Sequence, residues 1–221
     1  MRFIKRLYLE VKNTTVFQNK NQERKVKSMV REVAKFEKVS FEQFLTDMKE
    51  ADYYYKQVGG QSLFGDAESD AEIVAKVQEM YDNIKLPTRA TDGSAGYDIR
   101  SPFDFVLNDK IKSILIPTGL RCKMDKDFFL SIVPKSGLGF KYGLDLANTI
   151  GIVDSDYYRA ENEGHIMDKL TYESVLCKGK ALEVQAGMGI SQGILLTYGI
   201  TIDDYKTEKQ TRTGGFGSTG K

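Results

Sequence analysis

The chain has 221 residues and a formal net charge of +1, from 32 basic and 31 acidic side chains, so it lacks the basic excess of proteins that wrap nucleic acid. Its two cysteines and one histidine cannot supply a disulfide framework or a four-ligand zinc site within one chain. No stretch approaches the roughly 18 apolar residues of a membrane span and the start has no signal-peptide pattern, so we expect a soluble, cytoplasmic protein.

Residues 1–84 are predicted to form an N-terminal arm followed by a helical elaboration. A serine with Gln or Glu three residues later opens two amphipathic patterns, at Ser40 and at Ser69, and this signature is typical of a capped helix start. The composition changes near residue 85, which we take as a domain boundary. We expect both helices to pack against the main domain or a partner subunit.

Residues 85–205 are predicted to form a mainly β domain. The runs IKSILIPTGL, FFLSIV, NTIGIV, HIMDKL and GILLTYGITI are short, rich in β-branched and aromatic residues, and separated by glycine turns. Such runs without long helices between them favour an antiparallel sandwich, jelly roll or barrel. His165, within one of these runs, is expected to be a strand residue with a satisfied hydrogen bond. Residues 206–221 are rich in glycine and polar residues and are predicted to form a mobile arm.

The C-terminal sequence GFGSTGK matches the first part of a phosphate-binding P-loop. A P-loop also needs a Ser or Thr for magnesium and a helix whose N-terminus faces the phosphates, and neither follows here. A P-loop nucleotide triphosphatase is therefore rejected. The segment still offers amides, hydroxyls and a phenylalanine ring that could wrap a polyphosphate and stack on a base.

Three further clusters combine glycine turns with polar side chains. They are SAGYDI at residues 94–99, PKSGLGFK at residues 134–141 and GIVDSDYYR at residues 151–159. In the third, a predicted strand ends on a carboxylate at Asp154 and a ring follows at Tyr157. Each cluster alone is also compatible with an ordinary turn.

Read in order, these clusters resemble the five motifs of the trimeric dUTPase family. AGYDI, PKSGLGFK, GIVDSDY, GISQGI and RTGGFGSTG are similar to the first to fifth motifs, over roughly residues 85–221. The helical segment before them resembles the N-terminal elaboration of Firmicute and phage members. The resemblance implies a distorted jelly roll assembled as a homotrimer with shared active sites, and Mg²⁺-assisted hydrolysis of dUTP to dUMP and pyrophosphate by in-line attack of water.

The resemblance also implies a role for each matched residue. Asp154 corresponds to the carboxylate that activates water, Tyr157 to the ring that packs on deoxyribose and leaves no room for a 2′-hydroxyl, and Asn148 to a uracil-recognition position. Asp98 corresponds to a second-shell aspartate tied to the magnesium site through water or to the basic second motif. No direct protein ligand for magnesium is implied, because the substrate phosphates and water hold the ion. The remaining substrate contacts implied are Lys135, Ser136, Gly137, Gln192, Arg212, Phe216, Gly217, Ser218 and Thr219.

The sequence departs from the family pattern in three motifs. In the fifth, the family usually places its arginine one residue further from the phenylalanine than Arg212 stands from Phe216. The other two departures lie in the second and fourth motifs. The family usually has arginine where this chain has Lys135, and lysine cannot make the same bidentate contact with carboxylate or phosphate. The fourth motif commonly carries an acidic residue and an arginine where this chain has Met188 and Gly189. Both differences predict an altered arrangement of charge around the phosphates.

Two alternatives stay open from the sequence. A dCTP deaminase has the same fold but attacks the base, although GIVDSDY and GGFGST both follow the dUTPase form. A phage-type regulatory protein would dock on a repressor partner, and residues 1–84 offer charged and apolar surface for that. Such a role need not exclude catalysis.

Overall fold

The computed structural model describes residues 31–173 and 178–209. Internal contacts divide the chain into two units, Met1–Val33 and Ala34–Lys221, and every helix and strand of the described residues belongs to the second unit. The predicted division at residues 84/85 and 205/206 stays a prediction. The predicted basic segment before residue 31 and the C-terminal arm from residue 210 lie outside the described residues.

Both predicted helices form. They are α1 (Phe41–Gln57) and α2 (Asp70–Asn83). Ser69 forms the complete predicted capping box with Glu72. Ser40 caps α1 by accepting from the Gln43 amide. The Ser40 backbone N–H donates to the carboxylate of Glu163 rather than to the Gln43 side chain, because a charged acceptor makes the stronger hydrogen bond.

The described strands pair antiparallel throughout, which confirms the mainly β, jelly-roll-like fold. Four sheets have the strand orders β1-β6, β5-β10-β8, β11-β4 and β2-β3-β12-β7-β9 among these residues. The strands are β1 Ala34–Lys38, β2 Thr88–Arg89, β3 Tyr97–Arg100, β4 Phe105–Leu107, β5 Ser113–Pro117, β6 Leu120–Met124, β7 Phe128–Pro134, β8 Leu144–Leu146, β9 Gly151–Asp154, β10 Met167–Tyr172, β11 Leu182–Val184 and β12 Gly189–Thr197.

Two local predictions from the sequence are wrong. The Lys-Ser-Gly turn after β7 is the start of a short helix, α3 (Ser136–Tyr142), which ends at Gly143 in the left-handed conformation. The last predicted strand, expected to reach residue 202, ends at Thr197, because its partner strand β7 begins opposite that residue at Phe128. Short single turns of 3-10 helix occur at Tyr157–Arg159 and Asp204–Lys206.

The helices share one hydrophobic core with the sheets. Phe44 and Met48 of α1 and Val77 of α2 are fully buried, as are Ile114 of β5 and Leu120 of β6. Burial of each such large side chain stabilises the fold by about 2 kcal/mol. The elaboration is therefore joined to the β core from residue 34 onward. In the part of the chain that the structure describes, no helix has the length and apolar character to cross a membrane.

Candidate active site

Three of the predicted site residues meet at one end of the five-stranded sheet. Asp98 of β3 lies opposite Gln192 of β12 in the strand register. Lys135, directly after β7, donates from Nζ to Asp98 Oδ2 at 2.7 Å. Gln192 Nε2 donates to the other carboxylate oxygen at 3.1 Å. The first, second and fourth motifs therefore converge on one carboxylate, and we call these three residues the sheet cluster.

The sheet cluster fixes the charge state of its carboxylate. Burial by itself raises the pKa of Asp98, but the hydrogen bond and charge of Lys135 and the hydrogen bond of Gln192 outweigh it, so the pKa is lowered. The ammonium group of Lys135 is thus held beside an anion at a partly exposed position. Of the two roles that the resemblance implies for Asp98, the structure shows the contact with the basic second motif.

The departures in the second and fourth motifs, Lys135 and Gly189, lie next to each other in space. A Cβ atom at Gly189 would lie 3.2 Å from Cδ and 3.5 Å from Nζ of Lys135. The register of β12 also shifts between Gly189 and Ser191, which indicates a bulge at this point. The lysine stem therefore lies where a larger residue at 189 would have to fit.

Ser136 and Gly137 lie beside the sheet cluster as the first residues of α3, and both are exposed. The amides of the next two residues, Leu138 and Gly139, are bonded back to the Lys135 carbonyl. The tight turn after β7 therefore presents the Ser136 hydroxyl to solvent next to the lysine.

The third motif lies elsewhere on the same sheet. Asp154 is the last residue of β9, is partly exposed, and pairs with Phe129 at the start of β7. Tyr157 follows in a 3-10 turn, and only 6% of it is exposed, so a ligand could reach only a small part of its surface in the single chain. Asn148 lies in the exposed turn between β8 and β9.

Asp154 and the sheet cluster lie at opposite ends of β7. Asp154 is level with Phe129, whereas Lys135 is six residues further along the chain. At about 3.3 Å per residue, the two are separated by about 20 Å in one chain. A single phosphorus and its attacking water cannot be reached from both positions within one copy.

The remaining predictions from the sequence concern the C-terminal motif and His165. Arg212, Phe216, Gly217, Ser218 and Thr219 lie outside the described residues. His165 is not in a strand as predicted, because β10 begins two residues later, but its hydrogen bonds are satisfied and it is fully buried. Its partner Asp47 was missed, since no sequence spacing links residues 118 positions apart.

One cavity in the described part of the chain lies away from the predicted site residues. A cavity of about 640 Å³ lies between α2 and the segment around Arg100 to Asp104, and none of the predicted site residues lines it. Within residues 31–173 and 178–209, no group of three His, Cys, Asp or Glu side chains could hold a metal ion. The predicted site residues that the structure describes thus lie outside this cavity.

This mainly β architecture, with polar residues of three motifs gathered at one sheet end, defines a dUTPase-type fold. The family model for dUTPase matches residues 82–220, and the chain belongs to this family. It is 37% identical over 153 residues to the deoxyuridine 5'-triphosphate nucleotidohydrolase of Lactococcus lactis, covering 67% of this chain and 95% of that protein. It is 34% identical to the enzyme of the same name from Pasteurella multocida, covering 65% of this chain and 93% of that protein. Among solved structures, a dUTPase from Streptococcus mutans matches with a TM-score of 0.45 and 28% identity, covering 52% of this chain and 88% of that one.

Proposed function

We propose that this chain hydrolyses dUTP to dUMP and pyrophosphate, with Asp154 accepting a proton from the water that attacks the α-phosphorus. Membership of the dUTPase family carries this proposal. The partly exposed carboxylate at the end of β9 supports the role of base, because an attacking water can reach it. Such hydrolysis keeps uracil out of DNA and supplies dUMP, which fits a cytoplasmic enzyme of nucleotide metabolism.

The sheet cluster and the start of α3 are proposed to bind the triphosphate. Lys135 supplies a positive charge, while Ser136, Gly137 and Gln192 supply neutral donors. Charge spreads onto the leaving pyrophosphate during the reaction, so cations and donors fixed in advance lower the barrier. The Asp98 carboxylate holds the lysine in place, which reduces the reorganisation needed when phosphate arrives.

Base and sugar recognition is assigned to the third motif. Asn148 lies in an exposed turn, where its side chain and the neighbouring backbone can contact uracil. Tyr157 is proposed to present the small exposed part of its ring to deoxyribose, so that a 2′-hydroxyl has no room. The C-terminal residues Arg212, Phe216, Gly217, Ser218 and Thr219 are proposed to close the site over the base and phosphates.

We propose a homotrimer in which one copy supplies Asp154 and another supplies Lys135 to each site. The separation of about 20 Å along β7 supports this assembly, because a single copy cannot offer both residues to one phosphorus. Large apolar side chains also stay exposed in the single chain, with Phe140 at 92% and Ile202 at 94%. Surfaces of this kind are commonly covered by a partner subunit.

Magnesium is proposed to bind through substrate phosphate oxygens and water rather than through a protein cage. The carboxylate of Asp98 is already engaged by Lys135 and Gln192, which supports a role for it outside direct metal binding. When bound, the ion neutralises charge on the phosphates. Chelation by EDTA is expected to abolish turnover, and added Mg²⁺ to restore it.

The test is pyrophosphate release from dUTP, dTTP, dCTP and UTP by wild type, Asp154→Asn and Asp156→Asn. We expect release from dUTP alone, with Asp154→Asn slower by about 10²–10⁴-fold because the base is lost. Asp156→Asn is the matched control, since it removes the same charge from an exposed position two residues away. Ammonia release from dCTP would instead identify a deaminase, and no release from any nucleotide by a folded protein would contradict the proposal.

A further inference from the structure

The segment that carries the sugar-contacting tyrosine is held by the N-terminal elaboration. We define the tyrosine loop as residues 155–166 and the buttress as residues 34–48, which comprise β1 and the first part of α1. At the outer end, the Tyr158 hydroxyl donates to Glu37 Oε2 at 2.6 Å. This hydrogen bond is the main reason that the pKa of Glu37 is lowered to about 2, and so the contact persists across the physiological pH range.

A second contact joins the start of α1 to the middle of the loop. The backbone N–H and the hydroxyl of Ser40 donate to the two carboxylate oxygens of Glu163, at 2.7 and 2.6 Å. Burial alone would raise the pKa of Glu163, but these hydrogen bonds and the nearby Arg121 lower it. The helix cap and the loop are therefore joined by two charge-assisted bonds.

The third contact is buried. His165 has no exposed surface, and its Nδ1 lies 2.5 Å from Asp47 Oδ2. The Gly119 backbone N–H donates to Nε2 at 2.7 Å. Because Nε2 accepts a hydrogen bond, the proton of the neutral ring is on Nδ1 and points at Asp47. The orientation of the imidazole is thus fixed from both sides.

This buried contact continues to the tyrosine. The Tyr157 hydroxyl donates to the backbone carbonyl of His165 at 2.9 Å and accepts from Asn162 Nδ2 at 2.8 Å. The loop closes tightly between them, since a Cβ atom at Gly164 would lie 2.6 Å from the Tyr157 carbonyl oxygen. Asp47 and Tyr157 are therefore linked through a single residue, because Asp47 bonds to the imidazole of His165 and the tyrosine hydroxyl bonds to its backbone carbonyl.

We propose that Asp47 and His165 are positioning residues, through which the buttress fixes Tyr157 and so sets the discrimination between deoxyribose and ribose. This inference rests on the proposed hydrolysis of dUTP and deepens it. The β9 strand ends at Asp154, so no strand ladder holds the loop that follows. The buttress supplies the missing support from a segment that lies outside residues 82–220, the range matched by the family model.

The experiment compares kcat/KM for dUTP and UTP in Asp47→Ala. Removal of the carboxylate leaves the His165 N–H buried without its acceptor, so the loop and its tyrosine should shift. We expect the ratio of dUTP to UTP to fall about tenfold, since small displacements of a positioning contact cost one to two orders of magnitude. This ratio does not depend on the fraction of folded protein, which enters both values equally. Asp47→Asn should restore most of the ratio, because its side-chain oxygen still accepts from Nδ1.

Asp52→Ala is the matched control. Asp52 is a buried carboxylate of the same helix, but it accepts from Ser62 and Leu63 and does not contact the tyrosine loop. We expect this variant to lose stability like Asp47→Ala while keeping the wild-type ratio. If Asp47→Ala does not fold, Ser40→Ala replaces it, with an expected fall of about threefold from the loss of a hydroxyl contact.

Amide hydrogen exchange separates failure of this inference from failure of the proposed function. Exchange in residues 155–166 should rise in Asp47→Ala but not in Asp52→Ala, whether or not the wild type hydrolyses dUTP. If the wild type leaves dUTP intact, the proposed function is wrong, and so is the proposed discrimination between deoxyribose and ribose. The amide exchange of residues 155–166 would still show whether the buttress holds the tyrosine loop. Equal ratios and equal exchange in the two variants would overturn the inference.

Discussion

The two halves of the candidate site are held in place by different means. In the sheet cluster, Asp98 and Gln192 sit opposite each other on paired strands, and backbone hydrogen bonds set their separation. Tyr157 lies beyond the end of a strand, and its position depends on contacts from the buttress. The comparison suggests that the family motifs carry the chemistry of both halves, whereas the elaboration stabilises the half that the sheet does not.

The largest expected effect is on the free energy of unfolding. It concerns Asp168 of β10, which accepts a hydrogen bond from Ser191, the residue before Gln192 on β12. Burial raises the pKa of Asp168 to about 6 from an ordinary 3.8, although the Ser191 hydroxyl donates to it at 2.5 Å. The pKa of Asp168 is higher in the folded protein than in the unfolded chain. The protonated carboxyl group therefore stabilises the fold fully below about pH 3.8, and this contribution is lost as pH rises through 6. The difference corresponds to about 3 kcal/mol of unfolding free energy.

Urea unfolding at pH 4 to 8 measures this contribution. Asp168→Asn should remove the part of the pH dependence that lowers stability between pH 4 and 7, whereas Asp145→Asn, at an exposed position, should leave it unchanged. A wild type and an Asp168→Asn variant with parallel pH profiles would show that Asp168 is ionised in the folded state at the same pH as in the unfolded chain.

The next effect separates rate from sugar selectivity. Lys135→Ala removes the cation of the sheet cluster and should lower kcat/KM for dUTP by about 100-fold, with little change in the ratio of dUTP to UTP. Lys141→Ala, near the other end of the same short helix, is the control and should stay near wild type. Loss of selectivity in Lys135→Ala would mean that the two halves are not independent.

The smallest effect tests the fit between Lys135 and Gly189. Gly189→Ala places a Cβ atom 3.2 Å from the lysine Cδ, so the stem must shift by a few tenths of an ångström. We expect kcat/KM to fall by about threefold in the wild-type background. In a Lys135→Ala background the same substitution should have no further effect, and an equal fall in both backgrounds would rule out this coupling.

Much of the fold follows from local sequence signals. The capping serines at 40 and 69 predict both helix starts, and the short apolar runs predict antiparallel strands. The motif order also predicts that Asp98, Lys135 and Gln192 belong to one site, because each is matched by a short family motif. The turn after β7 was predicted wrongly, since a Lys-Ser-Gly sequence fits both a turn and the first residues of a helix.

The support of Tyr157 could not be predicted from the sequence. Asp47 and His165 are far apart along the chain, and their meeting depends on how α1 packs against the β core. Likewise, the Ser40 amide donates to Glu163 rather than to the predicted Gln43 side chain. This is a tertiary contact, which a local capping pattern does not contain. Local patterns specify the elements, whereas the packing of those elements specifies these contacts.

The most direct test of the central claim is complementation between two variants of low activity. Asp154→Asn and Lys135→Ala are unfolded together, refolded as mixed trimers, and assayed for dUTP hydrolysis beside each variant alone. If each site takes Asp154 from one copy and Lys135 from another, about a quarter of the sites regain both residues and activity rises far above either variant. Activity of the mixture no greater than the average of the two variants would contradict the claim and place each site within a single copy.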